Sequence, residues 1–162
     1  MSVSIPSEYL QKIRLQSERD YPNEACGILI GPKDRKELVT GIYPCQNVQD
    51  HYHTQDPVSF PRTARTAYFI DPRELLRIQK EAREKRCETR VIYHSHVDAG
   101  AYFSEEDQRV ATSEGRPAYP GVVYLVVSVK NGKTGEMTLF HWDEKAGRFV
   151  ESEVRVSEDK KA

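Results

Sequence analysis

One apolar run restricts the fold of this chain more than any other feature. Residues 122–129 (VVYLVVSV) are almost entirely apolar, are rich in valine and follow a segment of turn residues. A short run of this kind is typical of a buried strand. It therefore predicts the central strand of a sheet, with helices packed against that sheet.

The remaining segments supply the other elements of a mixed α/β domain. Helical spacing and capping signals predict three helices, over residues 6–20, 71–86 and 104–113. Branched and alternating runs predict further strands over residues 25–30, 37–44, 67–70, 89–94, 137–142 and 149–156. Residues 45–66 are polar, contain two prolines and predict a long surface loop. We expect residues 1–156 to form one domain and residues 157–162 to form a frayed tail.

Composition excludes several classes of protein. The length of 162 residues fits one domain, and the net charge of -1 gives no electrostatic reason to bind nucleic acid or anionic lipid. No apolar stretch approaches the ~20 residues that a membrane-spanning helix needs, and we expect no secretory signal. The widely spaced Cys26, Cys45 and Cys87 form no disulfide framework. We therefore expect a cytoplasmic protein with no nucleic-acid or membrane partner.

The segment from His94 to Asp107 carries residue types suited to metal chemistry. His94 and His96 stand at the end of a predicted strand, and side chains two residues apart leave a strand on the same face. Two imidazoles, one carboxylate oxygen and a water form a catalytic zinc site. Asp107 supplies the carboxylate if the loop returns the next helix to the strand end. Alternatively, Ser104 and Asp107 match a helix capping box, in which Asp107 binds no metal.

The joint spacing of these residues resembles the motif of the JAMM (MPN-plus) metallopeptidase family. That motif is an upstream Glu followed by His-Ser/Thr-His-x7-Ser-x-x-Asp. Five residues match it in order and spacing: Glu24, His94, His96, Ser104 and Asp107. Residues 22–31 (PNEACGILIG) are similar to the family's segment around its Glu. Residues 68–74 are similar to the stretch that opens the second helix in short bacterial members.

The resemblance implies a fold, a cofactor and a role for each matching residue. The implied fold is a single JAMM/MPN-like domain with one curved, mostly antiparallel sheet flanked by about three helices. The implied cofactor is one zinc ion per chain, held by His94, His96 and Asp107 with a water as the fourth ligand. Glu24 would then be the general acid–base residue, and Ser104 would help to stabilise the oxyanion.

The resemblance also implies a substrate. Short bacterial members cut after the C-terminal Gly-Gly of ubiquitin-like or sulfur-carrier proteins, and such a tail could add as a strand to a sheet edge. We therefore expect a small carrier protein as the partner, and an exposed sheet edge would also allow a homodimer. Val97 departs from the pattern, because the family usually has Pro directly after the second His. Because of this departure, the resemblance does not fix the shape of the loop after His96 or the fit of the substrate against it.

Other functions compete for the same residues. The main alternative is a non-catalytic MPN-type scaffold that binds a ubiquitin-like partner, although such members have lost ligands that this chain retains. The run from His94 to Asp98 begins like a metallo-β-lactamase motif, but Ala99 stands where that motif has its last His. The zinc deaminase signature is absent from the sequence.

Several further residues favour structural roles. His51 and His53 repeat the spacing of the histidine pair inside a polar loop, and we expect a solvated loop rather than a second metal site. Cys26 would share a strand face with Glu24 and could approach the zinc, but a buried structural thiol is the simpler interpretation. The basic residues of segments 62–65 and 83–86 predict solvated faces that could meet an acidic partner.

Overall fold

Ten strands and four helices make up the computed structural model, which describes residues 3–158. The helices are α1 (Ser7–Asp20), α2 (Gln49–Gln55), α3 (Pro72–Glu84) and α4 (Glu105–Ala111). The strands are β1 (Ser4–Pro6), β2 (Cys26–Pro32), β3 (Gly41–Cys45), β4 (Cys87–Val97), β5 (Thr112–Ser113), β6 (Arg116–Pro117), β7 (Val123–Lys130), β8 (Lys133–Asp143), β9 (Arg148–Ser152) and β10 (Arg155–Ser157). This composition is the mixed α/β class that the sequence predicts.

Six of the strands form the main sheet, in the order β3-β2-β4-β7-β8-β9. In this sheet β4 and β7 run parallel, and the other neighbouring pairs are antiparallel. The apolar run that predicts a central strand is β7, which lies between β4 and β8 and is buried over all but its last residue. The expected mostly antiparallel sheet is therefore confirmed.

Helices cover both faces of this sheet. Residues of α3 and α4 pack in one core together with Ile92 and Tyr124. Residues of α1 pack in a second core together with Val91 and Leu125. Because successive side chains of a strand point to opposite faces, the even-numbered residues of β4 from Ile92 onward face α3 and α4. The candidate site lies on this side of the sheet.

Local signals in the sequence set the ends of two helices. Asp71 caps α3, because its side chain accepts a hydrogen bond of 2.9 Å from the backbone N–H of Arg73. Pro72 takes the first position of the helix, where its missing N–H costs no hydrogen bond. Helix α1 ends at Asp20, directly before a Tyr-Pro pair that disfavours helical backbone. Both helices therefore lie where the sequence predicts them.

The segment predicted as a long loop, residues 45–66, contains the short helix α2. The seven residues of α2 have no apolar stripe, and residues outside the helix hold them in place. The side-chain oxygen of Asn47 accepts hydrogen bonds from the N–H groups of Gln49 at 3.0 Å and Phe69 at 3.1 Å. The ring of Tyr52 packs against that of Phe69, with centroids 4.9 Å apart. Tertiary contacts therefore create a helix that the local pattern does not predict.

Two predicted strands also differ from those observed. Residues 67–70 form only an isolated bridge to Asn47 instead of a strand. Residues 149–156 divide into β9, which stays in the main sheet, and β10, which pairs in parallel with β1. The last four residues of the predicted tail at 157–162 lie outside the described residues.

The structure also bears on the expectations from composition. All three cysteines are free and buried, so the absence of a disulfide framework is confirmed. A search of residues 3–158 finds no helix with both the length and the apolar character needed to cross a bilayer.

Candidate metal centre

Strand β4 brings two buried imidazoles together. His94 and His96 have exposed fractions of only 0% and 5%, and their Nε2 atoms lie 3.3 Å apart. Cys26 of β2 pairs with His94 on one side, and Val126 of β7 pairs with it on the other. Because β4 is hydrogen-bonded to both neighbours, the histidine pair stands on rigid backbone.

Asp107, in the first turn of α4, faces both histidines. Its Oδ1 lies 3.1 Å from His94 Nε2, and its Oδ2 lies 3.0 Å from His96 Nε2. Burial alone would raise the pKa of Asp107, but the charge of His94 and hydrogen bonds from both imidazoles outweigh it. These contacts hold the pKa well below the ordinary value of 3.8, so the carboxylate is ionised.

The capping box that the sequence offers as an alternative is also present. Ser104 Oγ accepts a hydrogen bond of 3.0 Å from the Asp107 N–H, and Asp107 Oδ2 accepts one of 3.0 Å from the Ser104 N–H. Asp107 therefore caps the helix and faces the imidazoles at the same time. The capping bonds therefore leave Asp107 in position to be a metal ligand, and the metal content of an Asp107 variant distinguishes the two interpretations.

The three side chains fit a tetrahedral metal ion. Zinc bonds of 2.0–2.1 Å in a tetrahedron place neighbouring ligand atoms about 3.3 Å apart. The two Nε2 atoms lie 3.3 Å apart, and each lies 3.0–3.1 Å from a different oxygen of Asp107. With one ligand atom from each residue, all three atoms lie within 4.8 Å of one another. Two imidazole nitrogens and a carboxylate are also the donors that zinc accepts. The cluster is therefore suited to hold a metal ion.

A second hydrogen bond sets the tautomer of one ligand. His96 Nδ1 donates to the carbonyl oxygen of Gly100 at 2.9 Å, because a carbonyl can only accept. In the neutral ring this bond places the proton on Nδ1, so that Nε2 could offer its lone pair to a metal ion in place of its hydrogen bond to Asp107. His94 is oriented differently, since its ring stacks on Tyr68 with centroids 4.5 Å apart.

Glu24 lies just before β2 and is tied to the strand that carries the histidines. The Ala25 N–H donates to Ser95 Oγ at 2.8 Å, and the Ser95 N–H donates to the Ala25 carbonyl at 3.0 Å. The carbonyl of Glu24 accepts a hydrogen bond from Asn47 at 2.9 Å. The Glu24 side chain is buried, with an exposed fraction of 5%. These bonds fix the backbone of Glu24 beside the His94–His96 end of β4.

The environment of Glu24 favours its protonated form. Burial is the main cause that raises the pKa of this carboxyl well above 4.5, and the negative charge of Asp107 raises it further. Arg62 opposes the shift but does not cancel it. A carboxyl with a raised pKa binds a proton more tightly than an ordinary carboxyl, which favours a role in proton transfer.

Comparison with known proteins shows the family. A family described as prokaryotic homologs of the JAB domain matches residues 6–143. The chain belongs to this family. It is 32% identical over 123 residues to a desampylase of Haloferax volcanii, covering 76% of this chain and 72% of the relative. It is 26% identical over 154 residues to the CysO-cysteine peptidase of Mycobacterium tuberculosis, covering 95% of this chain and 90% of the relative.

Solved structures agree with the JAB fold. A protein of Desulfitobacterium hafniense gives a TM-score of 0.72 at 24% identity and covers 97% of this chain and 94% of its own. A JAB1/MPN domain protein of Archaeoglobus fulgidus gives a TM-score of 0.57 at 14% identity, with 96% of this chain and 98% of its own covered. With peptidases among its relatives, this JAB-family chain is a hydrolase of the JAMM type, as the motif predicts.

Val97 stands where the family usually has a proline directly after the second histidine. Val97 continues β4 and pairs with Val129. Asp98 then turns the chain with a positive φ of 55°, a conformation that Asp tolerates better than most residues. Its carboxylate accepts hydrogen bonds from Tyr21 Oη at 2.8 Å and the Asn131 N–H at 2.9 Å. The hydrogen bonds of Asp98 therefore hold this loop in position.

Two aromatic residues border the cluster, and the motif alone identifies neither of them. Tyr68 stacks on His94. It belongs to residues 68–74, whose similarity to the family indicates only the start of a helix. Tyr102 packs edge-on against His96 with centroids 5.0 Å apart, although its side chain is 55% exposed. The position of Tyr102 depends on the path of the loop, so no pattern in the sequence indicates it.

Other candidate ligands stay apart from the cluster. Within residues 3–158, His94, His96 and Asp107 are the only group of at least three residues placed to hold a metal ion. His53 lies on α2 and uses Nδ1 in a 2.7 Å hydrogen bond with the Phe60 carbonyl. The thiol of Cys26 is packed in the core and is not part of the cluster.

A cavity of about 370 Å³ opens beside Asp107. Tyr68, Phe69 and Val110 line one part of it, and Arg62 lines another. The basic segment around Arg62 is therefore not merely a solvated face, since Arg62 also pairs with Glu106 of α4 at 3.0 Å. Of the three cluster residues, only Asp107 lines this cavity.

Proposed function

We propose that this protein is a zinc-dependent peptidase that hydrolyses the amide bond after the C-terminal Gly-Gly of a ubiquitin-like or sulfur-carrier protein. The observation that carries the proposal is the buried cluster of His94, His96 and Asp107, whose ligand atoms lie within 4.8 Å of one another. Membership of the family supports it, as do relatives named as a desampylase and a CysO-cysteine peptidase.

The residues that would hold the zinc are already oriented. His94 and His96 would each offer Nε2, and Asp107 would offer one carboxylate oxygen. When bound, zinc supplies a Lewis acid that lowers the pKa of a coordinated water from 15.7 toward about 7. The hydrogen bond from His96 to Gly100 and the capping bonds of Asp107 keep these ligands in place.

Glu24 would act as the general base and then as the general acid. It would accept a proton from the attacking water and pass that proton to the nitrogen of the leaving residue. Its raised pKa would make it a stronger acceptor for this proton. The leaving residue departs as an amine, and the carrier keeps a free Gly-Gly carboxylate.

Ser104 would stabilise the charge that develops on the scissile carbonyl oxygen. Its Oγ already accepts the N–H of Asp107, so its hydroxyl hydrogen remains able to donate to an incoming oxygen. A donor aimed at a developing oxyanion can lower the barrier by about 2.7–4 kcal/mol.

The test uses zinc-loaded protein and candidate carriers that bear one extra residue after Gly-Gly. We expect mass spectrometry to show loss of that residue, and a chelator to stop the reaction. Glu24→Gln is the matched control, because it changes the base while leaving the three ligands intact. It should retain zinc and lose about 10²–10⁴-fold in rate.

The competing scaffold function makes opposite predictions. A scaffold would bind a carrier without shortening it and would be isolated without stoichiometric zinc. Loss of zinc in Glu24→Gln would show that Glu24 is a ligand instead of the base. Cleavage by Glu24→Gln at the wild-type rate would exclude Glu24 from the mechanism.

A further inference from the structure

A second, apolar pocket of about 250 Å³ lies next to the candidate active site. Its lining comes from α3, α4, β4, β7 and the segments that precede α3 and β7. The side chains that matter here are Tyr68, Leu75, Ile92, Val110, Tyr119 and Tyr124. We refer to this feature as the apolar pocket. No charged side chain lines it, so it is suited to a neutral apolar group.

The apolar pocket adjoins the cavity beside Asp107. Tyr68, Phe69 and Val110 line both spaces. The ring of Tyr68 also stacks on His94, so one side chain contacts a proposed zinc ligand and the apolar pocket. The apolar pocket therefore borders the proposed zinc site through Tyr68.

The floor of the apolar pocket lies a fixed distance from the histidines along β4. Ile92 precedes His94 by two residues and points to the same face of the strand. Two residues of a strand span about 6.6 Å. Tyr124 pairs with Ile92 on the neighbouring strand, as Val126 pairs with His94. Along the strand, the backbone of Ile92 at the pocket thus lies about 6.6 Å from that of His94.

An extended substrate tail has the same spacing. In a tail X-Gly-Gly, water attacks the carbonyl of the second Gly. The residue X stands two positions before that Gly. The side chain of X therefore leaves the tail on the face of that Gly, again about 6.6 Å away. Neither glycine has a side chain to fill the cleft, so X is the first residue of the tail that the protein can recognise in this way.

We propose that the apolar pocket binds the side chain of the residue before Gly-Gly and selects tails in which that residue is a branched aliphatic one. This inference rests on the proposed function. A cavity of about 150 Å³ suffices to bind benzene, so 250 Å³ accommodates a Leu, Ile or Val side chain. Val110 and Tyr119 at its rim are 45% and 39% exposed, and an apolar side chain of the tail would cover them.

The first experiment compares three synthetic tails that end in Leu-Gly-Gly, Ala-Gly-Gly and Asp-Gly-Gly, each followed by one removable residue. We expect kcat/KM to fall at least about 10-fold from Leu to Ala, and further for Asp. Equal values for the three tails would overturn the apolar pocket as a specificity site. Failure to cleave any tail would contradict the proposed function.

A binding measurement separates these two failures, because it needs no catalysis. Product peptides that end in Leu-Gly-Gly and Asp-Gly-Gly are titrated into zinc-loaded Glu24→Gln protein by calorimetry. The Leu peptide should bind at least about 10-fold more tightly. If the two peptides bind equally, the apolar pocket does not discriminate the residue before Gly-Gly, whatever the result of the cleavage experiment.

A charge placed at the rim should change the preference. Val110→Arg puts a cation beside the pocket near the C-terminal end of α4, where a cation is compatible with the helix dipole. We expect it to lower kcat/KM for the Leu tail at least about 10-fold and to raise it for a Glu-Gly-Gly tail. Val156→Arg, at a 60% exposed position on β10, is the matched control and should leave the preference unchanged. Equal effects of the two variants would contradict the proposal.

Discussion

Asp107 and Ser104 exchange two hydrogen bonds across the first turn of α4, and in each bond the side chain of one residue accepts from the backbone N–H of the other. Asp107 Oδ2 accepts from the Ser104 N–H at 3.0 Å, and Ser104 Oγ accepts from the Asp107 N–H at 3.0 Å. The same carboxylate lies 3.1 Å from His94 Nε2 and 3.0 Å from His96 Nε2. The cap of the helix therefore also aims the third proposed ligand at the histidines.

Replacing the two partners separately should divide these roles. Ser104→Ala should lower the free energy of unfolding by about 1 kcal/mol through loss of the cap, and should retain stoichiometric zinc. Asp107→Ala should lose the zinc as well as stability, because it removes a ligand. Thermal unfolding and metal content measure both effects, and His51→Ala at an exposed position should change neither. An Asp107→Ala protein that keeps its zinc would restrict Asp107 to helix capping.

The histidine pair shows how far a strand pattern can predict a site. The two-residue period of β4 places His94 and His96 on one face, and the structure has their Nε2 atoms 3.3 Å apart. The approach of Asp107 follows from the motif but depends on the path of the loop between the strand and α4. That path is set by hydrogen bonds of Asp98 to Tyr21 and Asn131, which are far apart in the sequence.

Other parts of the site could not be predicted, because distant segments create them. Helix α2 depends on the side chain of Asn47, which lies before it, and on aromatic contacts with Phe69, which lies after it. The apolar pocket combines Tyr68, Val110 and Tyr119 from three separate segments. Periodicity describes one segment at a time, so it indicates none of these contacts.

Asp98 should contribute to stability in a pH-dependent way. The Asn131 N–H and then the Tyr21 hydroxyl lower the pKa of this carboxyl below 3.8. Its contribution is therefore present above pH 3.8 and is lost as the pH falls through the lowered pKa. We expect Asp98→Asn to lower the Tm at neutral pH, with a difference from wild type that shrinks in acid. A difference that is constant with pH would contradict this account.

The shape of the backbone at Asp98 gives a separate prediction. Its φ of 55° is tolerated by Asp and Asn but strains a β-branched residue. Asp98→Val should therefore lower the Tm more than Asp98→Asn does. It should also weaken zinc binding, because the carbonyl of Gly100 that orients His96 lies in the same loop. Zinc titration of the two variants measures this, and equal zinc affinities would separate the loop from the metal site.

Gly27 should tolerate no side chain, because a Cβ there would overlap the phenol ring of Tyr93. That ring is fully buried, and its hydroxyl donates to the Gln16 side chain at 2.5 Å, so it cannot move aside. We expect Gly27→Ala to lower the free energy of unfolding by about 1–3 kcal/mol in urea denaturation. Gly135→Ala is the control, since a Cβ there meets only the Ser128 carbonyl oxygen, at 4.0 Å. Equal losses in the two variants would show that the overlap is relieved.

Glu24 should destabilise the metal-free protein as the pH rises. Burial, and then the charge of Asp107, raise the pKa of this carboxyl well above 4.5 in the folded state. The folded protein therefore binds this proton more tightly than the unfolded chain does, and stability falls as the pH rises from 4.5 through the raised pKa. The Gln side chain of Glu24→Gln cannot ionise. The free energy of unfolding of this variant, minus that of wild type, should therefore increase as the pH rises through this range. Urea denaturation of both metal-free proteins at several pH values measures the difference, and a constant difference would mean that Glu24 is not held in a desolvated position.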